Sequence, residues 1–356
     1  MQTTDPFAAE MLRASATGLA DLASERLVQN LGLENPALGM LPRRAWKKQF
    51  EELLTDLAQA LEEGRQDSFL NKVEWFQTAF AARDFPESDL IASLECLGEI
   101  LSDELPETTG MGAVKLIERA LESLRTAIPE VPPILDMKKE HGALAARYMT
   151  ALLEGNRGLA TQLVLDPVRS GALTIRDALL HVCEPAQREI GRMWHLNEIS
   201  ISDEHAVSAT TIRVISQIMT FAPSVEPTGK TVLAASIGDD SHDIGLRLVS
   251  ELFELDGWKV IFLGSRLPPD DFAWAAKEFV PDLALLSAAT DAHRSNVNKA
   301  ITLAREVHPE LAVLIGGPGF ESKEAPWTSS GASACGVRTA DAVQVGRELV
   351  GLPAKS

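Results

Sequence analysis

Residues 230–246, Lys-Thr-Val-Leu-Ala-Ala-Ser-Ile-Gly-Asp-Asp-Ser-His-Asp-Ile-Gly-Leu, constrain the fold of this chain more than any other stretch. They read as a buried strand over 232–235, a polar loop, and a helix from about Asp243. A short apolar strand that passes through a glycine-containing loop into a helix start is the repeating unit of a parallel sheet, and such loops are where open α/β sheets bind ligands. The loop carries Asp240-x-His242-x-x-Gly245. A histidine with a carboxylate two residues before it suits a metal ligand and its orienting group. The same residues also suit an ordinary helix start, in which Asp240, Ser241 and Asp243 satisfy free N–H groups. Both readings stand on this motif alone.

Downstream, apolar runs at 231–236, 258–263, 282–287 and 311–315, with a weaker one near 332–336, alternate with helical patterns near 243–255, 269–278, 291–307 and 339–350. Alternation of this kind predicts a parallel sheet with helices on both faces. Upstream the period is helical throughout. Five helices are expected at 7–31, 45–63, 68–82, 87–101 and 111–127, the second marked by Phe50, Leu53, Leu54, Leu57 and Leu61. A second helical block follows, with helices at 138–154, 157–165, 174–194 and 203–220, and Thr174-x-x-Asp177 reads as a capping box. The expected organisation is an N-terminal all-α sensory or interaction domain over 1–128, a Pro-rich linker over 129–136, a helical domain over 137–222, and an α/β domain over 229–356.

With 51 acidic against 33 basic residues the net charge is −18, which repels nucleic-acid phosphates. No DNA binding is expected, and the cations of Arg43-Arg44-Ala45-Trp46-Lys47-Lys48 read as a solvated helix face. Cys96, Cys183 and Cys335 are too few and too scattered for a disulfide framework. No signal peptide and no membrane-length apolar run is seen, so the expectation is a cytoplasmic protein with no membrane partner. Residues 1–140 hold no histidine, which argues against a haem-binding globin there.

Taken with Ser287-Ala-Ala289-Thr290 and Gly316-Gly317 at the ends of two later strands, the 240–245 motif resembles the cobalamin-binding domain shared by methionine synthase, corrinoid methyl carriers and B12-dependent light sensors. That family carries D-x-H-x-x-G, S-x-L and G-G in this order, and here Ala289 stands at the leucine position. The resemblance implies a Rossmann-like or flavodoxin-like doubly wound parallel sheet. It also implies that His242 is the lower cobalt ligand, with Asp240 fixing its tautomer. Ser241, Asp243 and Ile244 complete the motif loop. Gly245, Ser287, Ala289, Thr290, Gly316 and Gly317 would line or make room for the buried nucleotide tail.

A second group of residues, Trp194-His195 followed by Glu204-His205, brings two histidines, a Trp and a Glu to one bend between helices. Plain core packing and a plain helix start would also account for it. Placed just before a cobalamin-type domain, the W-x9-E-H pattern resembles the four-helix-type cap of the CarH light-responsive regulators. That resemblance implies that Trp194 covers an upper adenosyl ligand and Glu204 contacts it, with His205 alongside. His195 would take the upper cobalt position once light has broken the cobalt–carbon bond.

The expected function is therefore a non-enzymatic adenosylcobalamin photoreceptor whose cap movement changes oligomeric state or binding to an unknown protein partner. The photocobilins, which place a helical domain before the same unit, add biliverdin in the N-terminal domain as a second chromophore. A protein-interaction role for that domain fits the residues equally. The alternative is a methylcobalamin-type corrinoid carrier for a methyltransferase system. A mutase would need a substrate barrel in another subunit, since about 120 residues of helix do not make one.

Overall fold

The computed structural model describes residues 4–31, 43–124, 131–320, 327–336 and 338–354. Contacts divide the chain into two compact units: Met1–Val131 with His195–Asn197, and Pro132–Trp194 with Glu198–Ser356.

The first unit is all helical: α1 (Pro6–Asn30), α2 (Arg43–Glu63), α3 (Gln66–Ala81), α4 (Glu87–Glu104) and α5 (Glu107–Ser123). The Asp5 side chain caps α1 by accepting the Ala8 N–H at 3.0 Å, one of the four N–H groups a helix start leaves free. The apolar stripe read in α2 is buried in full, and Trp46, Phe50, Phe69, Leu94 and Leu97 join it in one core. The fifth helix begins at Glu107 rather than 111 because Pro106 occupies its N-cap position, where a missing N–H costs nothing. Residues 125–130, which include the expected end of that helix, lie outside the described residues.

The second unit opens with α6 (Gly142–Leu153), α7 (Arg157–Ser170), the single turn α8 (Ile175–Asp177), α9 (Glu184–His195) and α10 (Ile201–Met219). The one helix expected over 174–194 is interrupted by a π-helical turn, Ala178–Cys183. Pro185 has no N–H to give the carbonyl four residues back, so the ladder must change step there. The wider turn keeps Leu179, Val182 and Cys183 in the core and re-aims α9. Ser200 and Asp203 form a full capping box, so α10 starts at Ile201 and Glu204 lies in its first turn.

The rest of the unit is a five-stranded parallel sheet of order β2-β1-β3-β4-β5. Its strands are β1 (Thr231–Ser236), β2 (Lys259–Phe262), β3 (Leu283–Ser287), β4 (Ala312–Gly316) and β5 (Ala334–Gly336). The crossover helices are α11 (Ile244–Leu255), α12 (Pro269–Phe279), α13 (Arg294–Val307) and α14 (Ala342–Leu349). Leu233, Ala235, Ala284 and Leu286 point to one core with α12 and α13. Val232, Ala234, Leu283 and Leu285 point to the other, which also holds α11, α14 and the apolar faces of α6–α10. The strands are apolar on both faces because both are covered. No described helix is long and apolar enough to cross a membrane.

Burial in α11 has a consequence for pH. Desolvation first, and then the neighbouring Glu254, push the Glu251 carboxyl up to about 7. Between the ordinary carboxylate range and about pH 7 the folded chain holds a proton there that the unfolded chain has lost, so stability falls as pH rises through that window. Glu251→Gln removes the penalty. Thermal melts of the variant should show a gain on the order of 2–4 °C at pH 8 and none at pH 5.

Candidate functional site

Strand order 2-1-3 reverses the direction of chain winding between β1 and β3, and ligands bind in the crevice that opens at the strand ends there. Ser236 and Ser287, the last residues of those two strands, are paired in register, and their hydroxyls meet at 2.7 Å. The Ser236 hydroxyl also donates to the His242 carbonyl at 3.0 Å, pinning the loop that follows β1.

Asp240 is the centre of the cluster. It is fully buried, and three N–H groups donate to it. One oxygen takes the His242 backbone N–H at 2.9 Å and the His242 Nδ1 at 2.9 Å. The other takes the Ala289 backbone N–H at 2.9 Å and lies 3.4 Å from His293 Nδ1. Burial alone would push this carboxyl up, but the His242 and Ala289 bonds outweigh it and hold the group below the usual carboxylate range. Since Ala289 acts through its backbone, the loss of a leucine side chain at this position leaves that bond intact.

His242 answers in the opposite sense. The hydrogen bond to Asp240 raises its pKa, against desolvation, and Glu204 is among the negative charges that add to the effect. With Nδ1 committed to Asp240, the tautomer leaves the Nε2 lone pair outward on a side chain that is 70 % exposed. This is the geometry of a metal-binding imidazole with its carboxylate partner.

His293 carries no motif in the sequence and reads there as an ordinary histidine. The structure corrects that reading. Its side chain is only 15 % exposed, between Asp240 Oδ2 at 3.4 Å and Thr290 Oγ1 at 3.2 Å, with Asp239 at 3.8 Å from Nε2. The single signal that could have found it is its place one turn beyond Thr290, at the start of the helix after β3.

The three expected glycines behave differently. Gly317 has φ +95°, and a Cβ there would sit 2.5 Å from the Ala288 carbonyl oxygen, so the fold itself demands glycine beside the β3 loop. A Cβ on Gly316 would make only ordinary contact with Gly336, and one on Gly245 would meet nothing within 4 Å. Ser241 is exposed, Asp243 sits 3.7 Å from Arg247, and Ile244 starts α11 half-buried.

Of the second constellation, Glu204 joins the His242 site through its charge. Its carboxylate also holds His205 Nδ1 at 2.5 Å and the Ser208 hydroxyl at 2.6 Å, and the His205 side chain is exposed. Trp194 is half-buried. His195 is not gathered into this cluster. Its ring stacks on Trp75, with centroids 4.5 Å apart, and its Nε2 is 3.0 Å from the Trp75 carbonyl. Arg83 donates to the His195 carbonyl at 2.9 Å. Burial lowers the His195 pKa, which favours a neutral ring with a lone pair to offer.

The donor set sets a limit on what metal fits. Among the described residues no three His, Cys, Asp or Glu side chains are grouped to hold an ion. A corrin ring, which brings its own nitrogen ligands to cobalt, needs one such imidazole from the protein.

Comparison with known proteins agrees with this limit. Residues 230–343 match the model of the B12 binding domain, and residues 144–218 match a second model, also of a B12 binding domain. The sheet and the helical block before it thus both match B12 binding domains, and the chain is similar to CarH-type proteins. Over 214 residues it is 24 % identical to the HTH-type transcriptional repressor CarH of Myxococcus xanthus, a match covering 60 % of this chain and 70 % of that protein. It is 31 % identical over 104 residues to the D-ornithine 4,5-aminomutase subunit beta of Acetoanaerobium sticklandii, covering 27 % of this chain and 14 % of that subunit. The monomethylamine corrinoid protein of Methanosarcina barkeri superposes with a TM-score of 0.51 at 16 % identity, covering 59 % of this chain and all of that one, which is a likeness of fold. Cobalamin is therefore the cofactor class of this chain, and the residues at the β1/β3 crevice fit it: one free imidazole, a buried carboxylate behind it, and open space over Gly245.

Proposed function

We propose that this chain is an adenosylcobalamin-dependent photoreceptor that signals through a change of assembly or of partner binding. The reading rests on one observation: Glu204, in the first turn of α10, is close enough to His242 to raise its pKa, so the cap motif and the lower-ligand motif address the same space. The similarity to a repressor over 60 % of this chain supports a regulatory rather than catalytic role.

When bound, cobalamin supplies a light-labile cobalt–carbon bond. The chain's residues do the rest. His242 offers Nε2 from below, held by Asp240. Trp194 and Glu204 shelter the upper ligand. His195, neutral and stacked on Trp75, would supply a second imidazole to the cofactor's metal and would have to leave that stack to do so. The N-terminal helical unit is either an interaction domain or a biliverdin holder, and a long-wavelength absorption band in protein produced with biliverdin decides between them.

The test is an absorption spectrum of protein loaded with adenosylcobalamin in the dark, before and after green light, with size-exclusion chromatography alongside. A lasting bis-imidazole cobalamin spectrum with a changed elution volume is the expected result. His195→Ala should still photolyse but lose that lasting spectrum. Dark binding with no lasting light product would overturn the photoreceptor reading in favour of a corrinoid carrier.

A further inference from the structure

We propose that Ser208 and Gln187 are positioning residues for Glu204, the last links of a one-way chain of hydrogen bonds that holds this carboxylate toward the cofactor. The inference rests on the reading of Glu204 as a contact of the upper ligand. Glu204 stands in the first turn of α10, where a long side chain has several rotamers open to it. Here both of its oxygens are held. One takes the Ser208 hydroxyl at 2.6 Å, one turn along the same helix, and the other lies 2.5 Å from His205 Nδ1. The His205 side chain is exposed, so the anchor that comes from the body of the helical cap is Ser208.

Ser208 is itself held across the cap. Its Oγ is 3.2 Å from one atom of the Gln187 side-chain amide on α9. The other amide atom is 2.7 Å from Thr211 Oγ1, and Thr211 meets the Tyr148 hydroxyl of α6 at 3.0 Å. Tyr148 and Thr211 are fully buried. Proton count fixes the direction. Ser208 has one proton, and the Glu204 carboxylate, which only accepts, takes it at the shorter distance. Gln187 then turns its NH2 to Ser208 and its oxygen to the Thr211 hydroxyl, which leaves Thr211 to accept from Tyr148. Every link from Tyr148 to Glu204 donates the same way, and bonds in such a chain strengthen one another. Helix α10 supplies its own contrast. The Thr210 and Ser216 hydroxyls bond back to the carbonyls of Ala206 and Ile212, at 2.8 and 3.0 Å, the usual outlet for a hydroxyl on a helix. Ser208 and Thr211 turn to side chains instead. A buried polar chain adds little net stability over apolar packing of the same shape, so what this one adds is the position of its end.

The test compares two cofactors that differ only in the upper ligand, adenosylcobalamin and methylcobalamin, by optical titration of the full chain in the dark. Glu204→Ala should lower the preference for adenosylcobalamin. Ser208→Ala and Gln187→Met should each lower it about 5- to 10-fold, and Ser208→Thr, which keeps the hydroxyl, should stay close to wild type. Methylcobalamin affinity should change little in all four, which separates positioning from general damage to the cap. In the Glu204→Ala background, Ser208→Ala and Gln187→Met should add less than about 2-fold, because the group they hold is gone. A Glu204→Ala chain with unchanged preference would remove the upper-ligand reading of Glu204 and this inference with it. If Glu204→Ala lowers the preference while Ser208→Ala and Gln187→Met leave it alone, the positioning inference alone is wrong. The same holds if their effects simply add to that of Glu204→Ala.

Discussion

Replacing His242 with alanine should leave cobalamin without its lower protein ligand. Replacing Asp240 should come close to the same result by a different route. Outer partners of a metal-bound imidazole typically account for a 10- to 100-fold change in affinity, and Asp240 does more than orient the ring. Its two oxygens accept three N–H donors, two on one oxygen and one on the other, with the His293 ring 3.4 Å away, and a carboxylate accepts at every one of these sites. Asp240→Asn puts an NH2 group against donors on one side, so it should weaken cobalamin about as much as Asp240→Ala despite its matching shape. Asp240→Ala also leaves the half-buried Ala289 N–H unpaired, at a cost of about 1–3 kcal/mol. Optical titration with cobalamin, combined with thermal melts of the cofactor-free protein, separates the two effects. His242→Ala should change the titration far more than the melt; Asp240→Asn should change both. If Asp240→Asn binds cobalamin like the wild type, the orienting role assigned to the carboxylate is wrong.

The sign of the pH effect follows from the same pair. Asp240 is held below the usual carboxylate range, so its contribution to stability is present above the unfolded carboxylate pKa and is lost as pH falls through the folded one. His242 is raised, and in its protonated form it has no lone pair for a metal. Acidification should therefore loosen the lower ligand before it unfolds the chain.

The second large effect is expected at Gly317. Alanine there meets the Ala288 carbonyl oxygen at 2.5 Å in a backbone conformation with φ +95°. Strain and clash together should cost roughly 2–4 kcal/mol, a fall in Tm of about 10 °C for the second unit. The displaced segment ends at Ala289, whose N–H holds Asp240, so cobalamin affinity should fall with it. Gly245→Ala is the informative contrast. Its Cβ meets nothing within 4 Å, and the position is in the first turn of α11. The cofactor-free protein should gain about 0.5–1 kcal/mol from it, while cobalamin binding should weaken if the tail passes over this glycine. A stable Gly317→Ala with unchanged binding would show that the β4 loop yields more easily than its geometry implies.

Much of this was legible in the residues. The strand-loop-helix pattern around 240–245 marks a crevice loop, and apolar runs of four to six residues between helical stretches define a covered parallel sheet. Periodicity survives in sequence because each element must bury one stripe or two faces. Asp240 and His242 stand two apart, so their bond is local and visible in the motif.

What tertiary structure alone decided lies between segments far apart in the chain. The strand order that puts the β1 and β3 loops side by side is set by packing, and with it come the Ala289 and His293 approaches to Asp240, some 50 residues distant. His293 has no local pattern to betray it. Gly317 looks like a residue that makes room for a ligand, and proves to be required by the Ala288 carbonyl. His195 sits beside Trp194 in the sequence, but its side chain packs on Trp75, 120 positions away. Local motifs record the chemistry a short segment can do, whereas the partners that tune it are chosen by how the chain closes on itself.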